Sequence, residues 1–204
     1  MIKIVNYGSG NIQAILNIYK QLNIDCFVAN TPQDLLGTTK LILPGVGAFD
    51  QTMDQLISSG FKKELDNLVL KDKIPVIGIC VGMQILAKRS DEGKSEGLGY
   101  INSEVKRFDS SKMTQKPHLP HMGWNSIQPT KSHKIFENID FEKGFYFLHS
   151  YYFSCNSIED RLASTEYAGK FASAVNHDNV FGVQFHPEKS HNNGIQLFKN
   201  FANL

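Results

Sequence analysis

The sequence predicts an α/β protein with a mainly parallel central sheet flanked by helices and with antiparallel strands in its C-terminal half. Three observations carry this expectation. Short apolar runs alternate with longer stretches of helical spacing through the first half. After Asp91, short β-branched or aromatic segments follow one another at hairpin-like spacing. Nothing repeats at a fixed period and no low-complexity linker divides the halves, so residues 1–204 are expected to form a single domain.

In chain order, "IKIVNY" reads as a strand and "NIQAILNIYKQL" as a helix with apolar residues at helical spacing. "DCFVAN" and "KLILPG" read as strands, "QTMDQLISSGFKKELDNLVL" as one or two helices, and "IPVIGIC" as a buried strand. "GMQILAKRS" resumes helical spacing. The segments "GYINSEVKRF", "GWNSIQP", "GFYFLHSYYFSC", "LASTEY", "FASAVNH" and "VFGVQFH" then read as strands, and "IQLFKNFA" closes the chain as a helix.

Composition excludes several classes of partner. The 21 basic and 20 acidic residues leave a formal net charge of +1, with no Lys/Arg block, so neither nucleic acid nor a membrane surface is indicated. "MIKIVNYGSG" lacks a basic leader and a long apolar core, and no apolar run approaches the ~20 residues that span a bilayer, so a cytoplasmic location is expected. The 3 cysteines, Cys26, Cys80 and Cys155, are odd in number and lack C-x-x-C spacing, so reduced thiols are expected and no disulfide framework or zinc knuckle.

Local chemistry is more informative. Cys80 stands where "IPVIGIC" meets "GMQILAKRS", in a G-x-C-x-G frame analogous to the G-x-S-x-G nucleophile elbow. Gly78 and Gly82 remove Cβ atoms that would crowd such a turn, and a following helix N-terminus favours a thiolate. In an open α/β sheet this carboxyl end of the strands is where ligands bind. A lone cysteine is more often a buried structural residue, so the frame alone leaves both readings open. "FGVQFHPEKS" offers a base and an orienter: His186 and Glu188 are two apart and, in an extended stretch stiffened by Pro187, would share a face. His118, His121, His133, His149, His177 and His191 compete for the same role. A Cys, His, Glu triad by role follows if both signals describe one site.

Taken in order, "LPGVGAF", "GICVGMQIL", "SDEG", "EGLGYI", "PHMGWN", "FYFLHSYY" and "FGVQFHPEKS" resemble the class I glutamine amidotransferase family, from "NYGSGN" to "LFKNF". The resemblance implies a flavodoxin-like sheet, glutamine as substrate, and no metal or cofactor. It makes Cys80 the nucleophile, His186 the general base and acid, and Glu188 its orienting carboxylate. It places oxyanion donors at Val46, Gly47 and Val81, and glutamine contacts at Gln84, Glu92, Ser150 and Tyr151. Met122, Trp124 and Asn125 of "PHMGWN" are expected at a partner interface.

This pattern is nearest the branch whose glutaminase subunits form heterodimers with a (β/α)8-barrel cyclase and channel ammonia to it in histidine biosynthesis. A paralogous glutaminase serving surface-sugar amidation, a non-catalytic scaffold and a stand-alone cysteine hydrolase are the alternatives. "YGSGNIQ" imitates a dinucleotide loop, but Gln13 replaces its third glycine and no acidic residue follows at the required distance. His118 and His121 look like metal ligands, yet no third ligand is evident. Finally, a Val46–Gly47 peptide that turns its N–H inward only when partner and acceptor bind would make the isolated chain poorly active.

Overall fold

In the computed structural model, residues 1–113 and 119–204 are described. The first half alternates strands and helices: β1 (Ile2–Val5), α1 (Ile12–Gln21), β2 (Cys26–Ala29), β3 (Lys40–Gly45), α2 (Phe49–Ser58), α3 (Phe61–Asp66), β4 (Val76–Cys80) and the single turn α4 (Val81–Gln84). Strands dominate the second: β5 (Arg89–Ser90), β6 (Ser103–Arg107), β7 (His121–Asn125), β8 (Gln128–Pro129), β9 (Phe145–His149), β10 (Tyr151–Cys155), β11 (Arg161–Glu166), β12 (Lys170–His177) and β13 (Val180–Val183). Helix α5 (His191–Ala202) ends the chain.

The main sheet runs β2-β1-β3-β4-β13-β12-β10-β6-β5, with β11 on β12 and β8 on β11. Pairing is parallel from β2 through β13 and antiparallel from β13 to β6, as the change in sequence rhythm anticipates. β7 and β9 form a separate two-stranded antiparallel ribbon. Strands β3 and β4 lie inside the parallel half of the sheet. Val76, Ile77 and Ile79 are almost wholly enclosed, and each contributes about 1.5–3 kcal/mol of apolar burial. Helices α1 and α5 meet through an edge-on Tyr19–Phe198 contact at 5.4 Å between ring centres.

Close backbone approach explains the glycines around Cys80. A Cβ on Gly45 would strike the Gly82 nitrogen, one on Gly78 the Gly82 carbonyl, and one on Gly82 the Leu43 carbonyl. The turn after β4 therefore lies directly on β3, which only three glycines in register permit.

The structure corrects two sequence expectations. Helical spacing after Cys80 predicts a helix through residue 90, yet α4 stops after one turn. The carbonyls of Ile85, Leu86, Ala87 and Lys88, which would continue a helix, accept instead from Leu98, Ile101, Gly99 and Gly97. That long-range pairing ends α4. His186 and Glu188 also do not share an extended strand: β13 ends at Val183, and Pro187–Lys189 is a 3₁₀ turn preceded by His186. Pro187 occupies the first helical position, which its fixed φ favours.

Candidate active site

Strand β4 delivers Cys80 to the carboxyl edge of the sheet, between the ends of β3 and β13. Its backbone has φ +55° and ψ −113°, a conformation a residue with a Cβ rarely adopts, and it leads directly into α4. This is the geometry of a nucleophile elbow: the chain reverses so sharply that the side chain projects past the strand ends. The thiol rests 3.9 Å from the Leu148 carbonyl, at the end of β9.

His186 is held by the backbone on both sides. Its N–H donates to the Tyr146 carbonyl at 2.8 Å, while Ser190 Oγ donates to the His186 carbonyl at 2.6 Å and accepts from Tyr146 N–H at 3.0 Å. The 3₁₀ turn brings Glu188 back, so that His186 Nδ1 donates to Glu188 Oε1 at 2.8 Å. That leaves Nε2 as the imidazole atom free to exchange a proton with substrate or thiol. Burial disfavours the imidazolium, but the Cys80 and Glu188 side chains outweigh burial and hold the His186 pKa up at about 10.

Cys80 and His186 open into one cavity of about 260 Å³, whose walls include Val46, Gly47, Val81, Gln84, Glu92, Ser150 and Tyr151. Every residue expected at the oxyanion and glutamine positions therefore lines the same space. Their hydrogen bonding adds detail. Val81 opens α4, so its N–H has no intrahelical acceptor. Gly47 has φ +99°. Val46 N–H donates to Ser9 Oγ, which donates back to the Val46 carbonyl, both at 2.9 Å. In this conformation the Val46 N–H is engaged by Ser9 rather than turned to the cavity. The "YGSGN" turn thus serves the "PGVG" loop: a Cβ on Gly10 would strike Pro44, and Tyr7 OH donates to the Pro44 carbonyl.

Glu92 spends one oxygen on the first N–H of α2, accepting from Phe49 at 2.9 Å. In return Asp50 accepts from the N–H groups of Lys94 and Ser95, which holds its carboxyl below the usual range and fixes the loop carrying Glu92. Tyr151 presents its carbonyl to Gln84 Nε2 at 3.2 Å and to His149 Nδ1 at 2.8 Å.

Gln184 escapes sequence reasoning, and His121 and His149, weighed there only as rivals for the base and as a metal ligand, take a different place. His149, Gln184 and His121 are buried, and a polar residue inside an apolar strand is the signal that marks them. His121 Nδ1 lies 3.0 Å from His149 Nε2, and Asn125 Nδ2 lies 3.2 Å from His121 Nε2. The Tyr151 carbonyl can only accept, so His149 carries its proton on Nδ1 and accepts from His121 on Nε2. Burial lowers the pKa of His149 to about 3 and that of His121 to about 4. Both are neutral links between the β7–β9 ribbon and the cavity wall. His118 lies outside the described residues, and among those described no cluster of ligating side chains could hold a metal.

On the outer face of that ribbon, Met122 and Trp124 are half-exposed, and Met122 pairs across the strands with Leu148 at the cavity rim. Trp124 stacks flat on His191, with ring centres 5.4 Å apart. Asn125 is turned inward, toward His121 and the Glu166 carbonyl. Among the described residues, no helix is long and apolar enough to cross a membrane.

Comparison with known proteins agrees with this geometry. The family model "Glutamine amidotransferase class-I" matches residues 3–203. The imidazole glycerol phosphate synthase subunit HisH of Bdellovibrio bacteriovorus is 51% identical over 204 residues, covering 100% of both chains. The subunit of that name from Leptospira interrogans is 48% identical over the same length, again covering 100% of both. Among solved structures, PurLQS from Thermotoga maritima superposes with a TM-score of 0.75 at 16% identity, covering 99% of this chain and 97% of that one, a likeness of fold.

Proposed function

This chain belongs to the class I glutamine amidotransferase family, and from that membership we propose how its site releases ammonia and where the ammonia goes. It is a glutamine amidotransferase with glutaminase activity, and its full-length relatives assign it to histidine biosynthesis as the glutaminase subunit of an imidazole glycerol phosphate synthase. The surface-sugar and scaffold alternatives are not favoured.

Cys80 gives its proton to His186 Nε2, and the thiolate attacks the side-chain amide carbon of glutamine. The oxyanion that forms is stabilised by backbone N–H groups of the "PGVG" loop and of Val81. As the C–N bond breaks, His186 returns the proton to nitrogen and ammonia departs, leaving a thioester. Water, deprotonated by His186, then cleaves the thioester, and glutamate leaves with the thiol restored. Glu188 keeps Nδ1 protonated so that Nε2 can accept. Gln84, Glu92, Ser150 and Tyr151 hold the amino-acid end of the substrate. The single observation that carries this reading is the shared cavity, in which these groups converge on the Cys80 thiol.

Ammonia set free in water would protonate and lose its nucleophilicity, so a cyclase receives it. The partner is a (β/α)8-barrel subunit in a heterodimer, docked over the half-exposed Met122 and Trp124 and over Leu148, which lines the cavity; docking would shelter all three. Asn125, turned inward, supports that face rather than forming it. The Val46 N–H, the donor preceding the Val46–Gly47 peptide, is held by Ser9 and so withheld from the oxyanion, which supports a glutaminase short of one donor until the partner docks and this loop rearranges.

A glutamine-derived electrophile tests the nucleophile. It should label Cys80 in preference to Cys26 and Cys155, whose pKa values burial pushes up to about 12 and about 11. Peptide mapping that places the label mainly on either of those would overturn the assignment.

A further inference from the structure

Gln184 follows β13 and is fully enclosed, although it sits in the apolar run "VFGVQF". Its backbone N–H is spent on the Ser173 carbonyl at 2.9 Å, so the strand register holds the residue in place. A buried carboxamide needs partners for both ends of its side chain. It finds them on the two groups that matter most to the reaction. Gln84 Nε2 donates to Gln184 Oε1 at 3.0 Å, and Gln184 Nε2 lies 3.8 Å from Cys80 Sγ.

The orientation of this chain follows from one fixed point. The Tyr151 carbonyl can only accept, so the Gln84 atom 3.2 Å from it is the amide nitrogen. That nitrogen also faces Gln184, whose nearer atom must then be the carbonyl oxygen. The Gln184 amide nitrogen is left pointing at sulfur. Two further consequences follow. Both Gln84 N–H groups are used within the protein, which leaves its Oε1 as the atom available to the cavity. The sulfur, meanwhile, receives a donor on the side of the sheet and meets the Leu148 carbonyl at its rim.

We propose that Gln184 is a catalytic residue of this site: its side-chain N–H donates to the Cys80 thiolate, stabilising the nucleophile, while its carbonyl sets the orientation of Gln84. A neutral amide suits the position. It favours the anionic sulfur without a charge of its own, and so does not compete with the imidazolium of His186 for the thiolate. Leucine or methionine would pack in the same volume but strand the Gln84 amide and give the thiolate no donor. The role rests on Cys80 being the nucleophile, and the two are separable: retained glutaminase activity in Cys80→Ala would remove the reaction, whereas the readouts below concern the Gln184–sulfur contact itself.

The experiment measures the pH dependence of Cys80 alkylation by iodoacetamide in the intact chain, with labelling quantified by peptide mapping. Gln184→Glu keeps an oxygen for Gln84 and loses the donor to sulfur. Gln184→Met loses both. Each should raise the pH midpoint of alkylation by about one unit, which slows labelling roughly tenfold below the midpoint, and Gln184→Glu should raise it further because its carboxylate opposes the thiolate. Only Gln184→Met should also raise KM for glutamine by loosening Gln84. Wild-type protein provides a readout that needs no variant: with ¹⁵N-glutamine labelling, the Gln184 side-chain amide resonance should titrate with the midpoint of Cys80 alkylation. A folded variant with an unmoved midpoint, or a Gln184 resonance that ignores the thiol, would overturn the proposal.

Discussion

At the scale of the residue, the site depends on which hydrogen bond each side chain can still make after one partner is changed. In the proposed mechanism His186 carries protons in both halves of the reaction, whereas Glu188 only fixes which ring nitrogen holds its proton, through a 2.8 Å bond to Nδ1. His186→Asn should therefore lower kcat by roughly 10³-fold or more, with Glu188→Gln costing less because a carboxamide oxygen can still accept from Nδ1. Single-turnover hydrolysis separates the two, and the reverse ranking would remove the assigned roles. The residues of the proposed triad could be picked out in the sequence because they sit in two compact motifs, G-x-C-x-G and H-P-E. Gln184, two residues before the second of these motifs, went unread: a glutamine beside H-P-E carries no signal of its own until the fold shows that it is enclosed and aimed at sulfur.

At the scale of the element, most strands and helices were readable from periodicity, and the two failures have separate causes. "GMQILAKRS" has helical spacing, but tertiary pairing with residues 97–101 takes the carbonyls a helix needs. "VFGVQFH" has strand spacing, but Pro187 starts a turn that curls Glu188 back onto His186. Long-range partners such as residues 97–101 leave no local trace. The β7–β9 ribbon shows the same limit, since nothing in "PHMGWN" or "FYFLHSYY" announces that His121 and His149 will face each other. Their pairing has a measurable consequence. In the unfolded chain His149 titrates near 6.5, while in the folded protein burial lowers its pKa to about 3. Its stabilising contribution is thus fully present above pH 6.5 and is lost as pH falls toward 3, because the unfolded state takes up a proton that the folded state refuses. Between pH 7 and pH 5 this amounts to about 2 kcal/mol. Urea unfolding should show that loss in the wild type and a smaller one in His149→Gln. Equal losses would show that the histidine is not the source.

At the scale of the whole molecule, a parallel sheet places its carboxyl edge, the cavity and a half-exposed apolar ribbon on adjoining surfaces, so that the proposed docking of a partner and holding of glutamine would involve the same loops. The Ser9–Val46 contact lies at that junction. Loss of one oxyanion donor lowers turnover by ~10²- to 10³-fold, so the isolated chain should hydrolyse glutamine by about that factor more slowly than the chain bound to its cyclase and an acceptor analogue. Equal rates in the two states would exclude control through this loop. The central claim, that Cys80 makes ammonia here and a separate subunit uses it, is tested most directly in the reconstituted complex with Cys80→Ala. The account predicts that the variant complex cannot form the cyclised product from glutamine but forms it at the wild-type rate from added ammonium salts. Product from glutamine in the Cys80→Ala complex, or equal loss with both nitrogen sources, would contradict it.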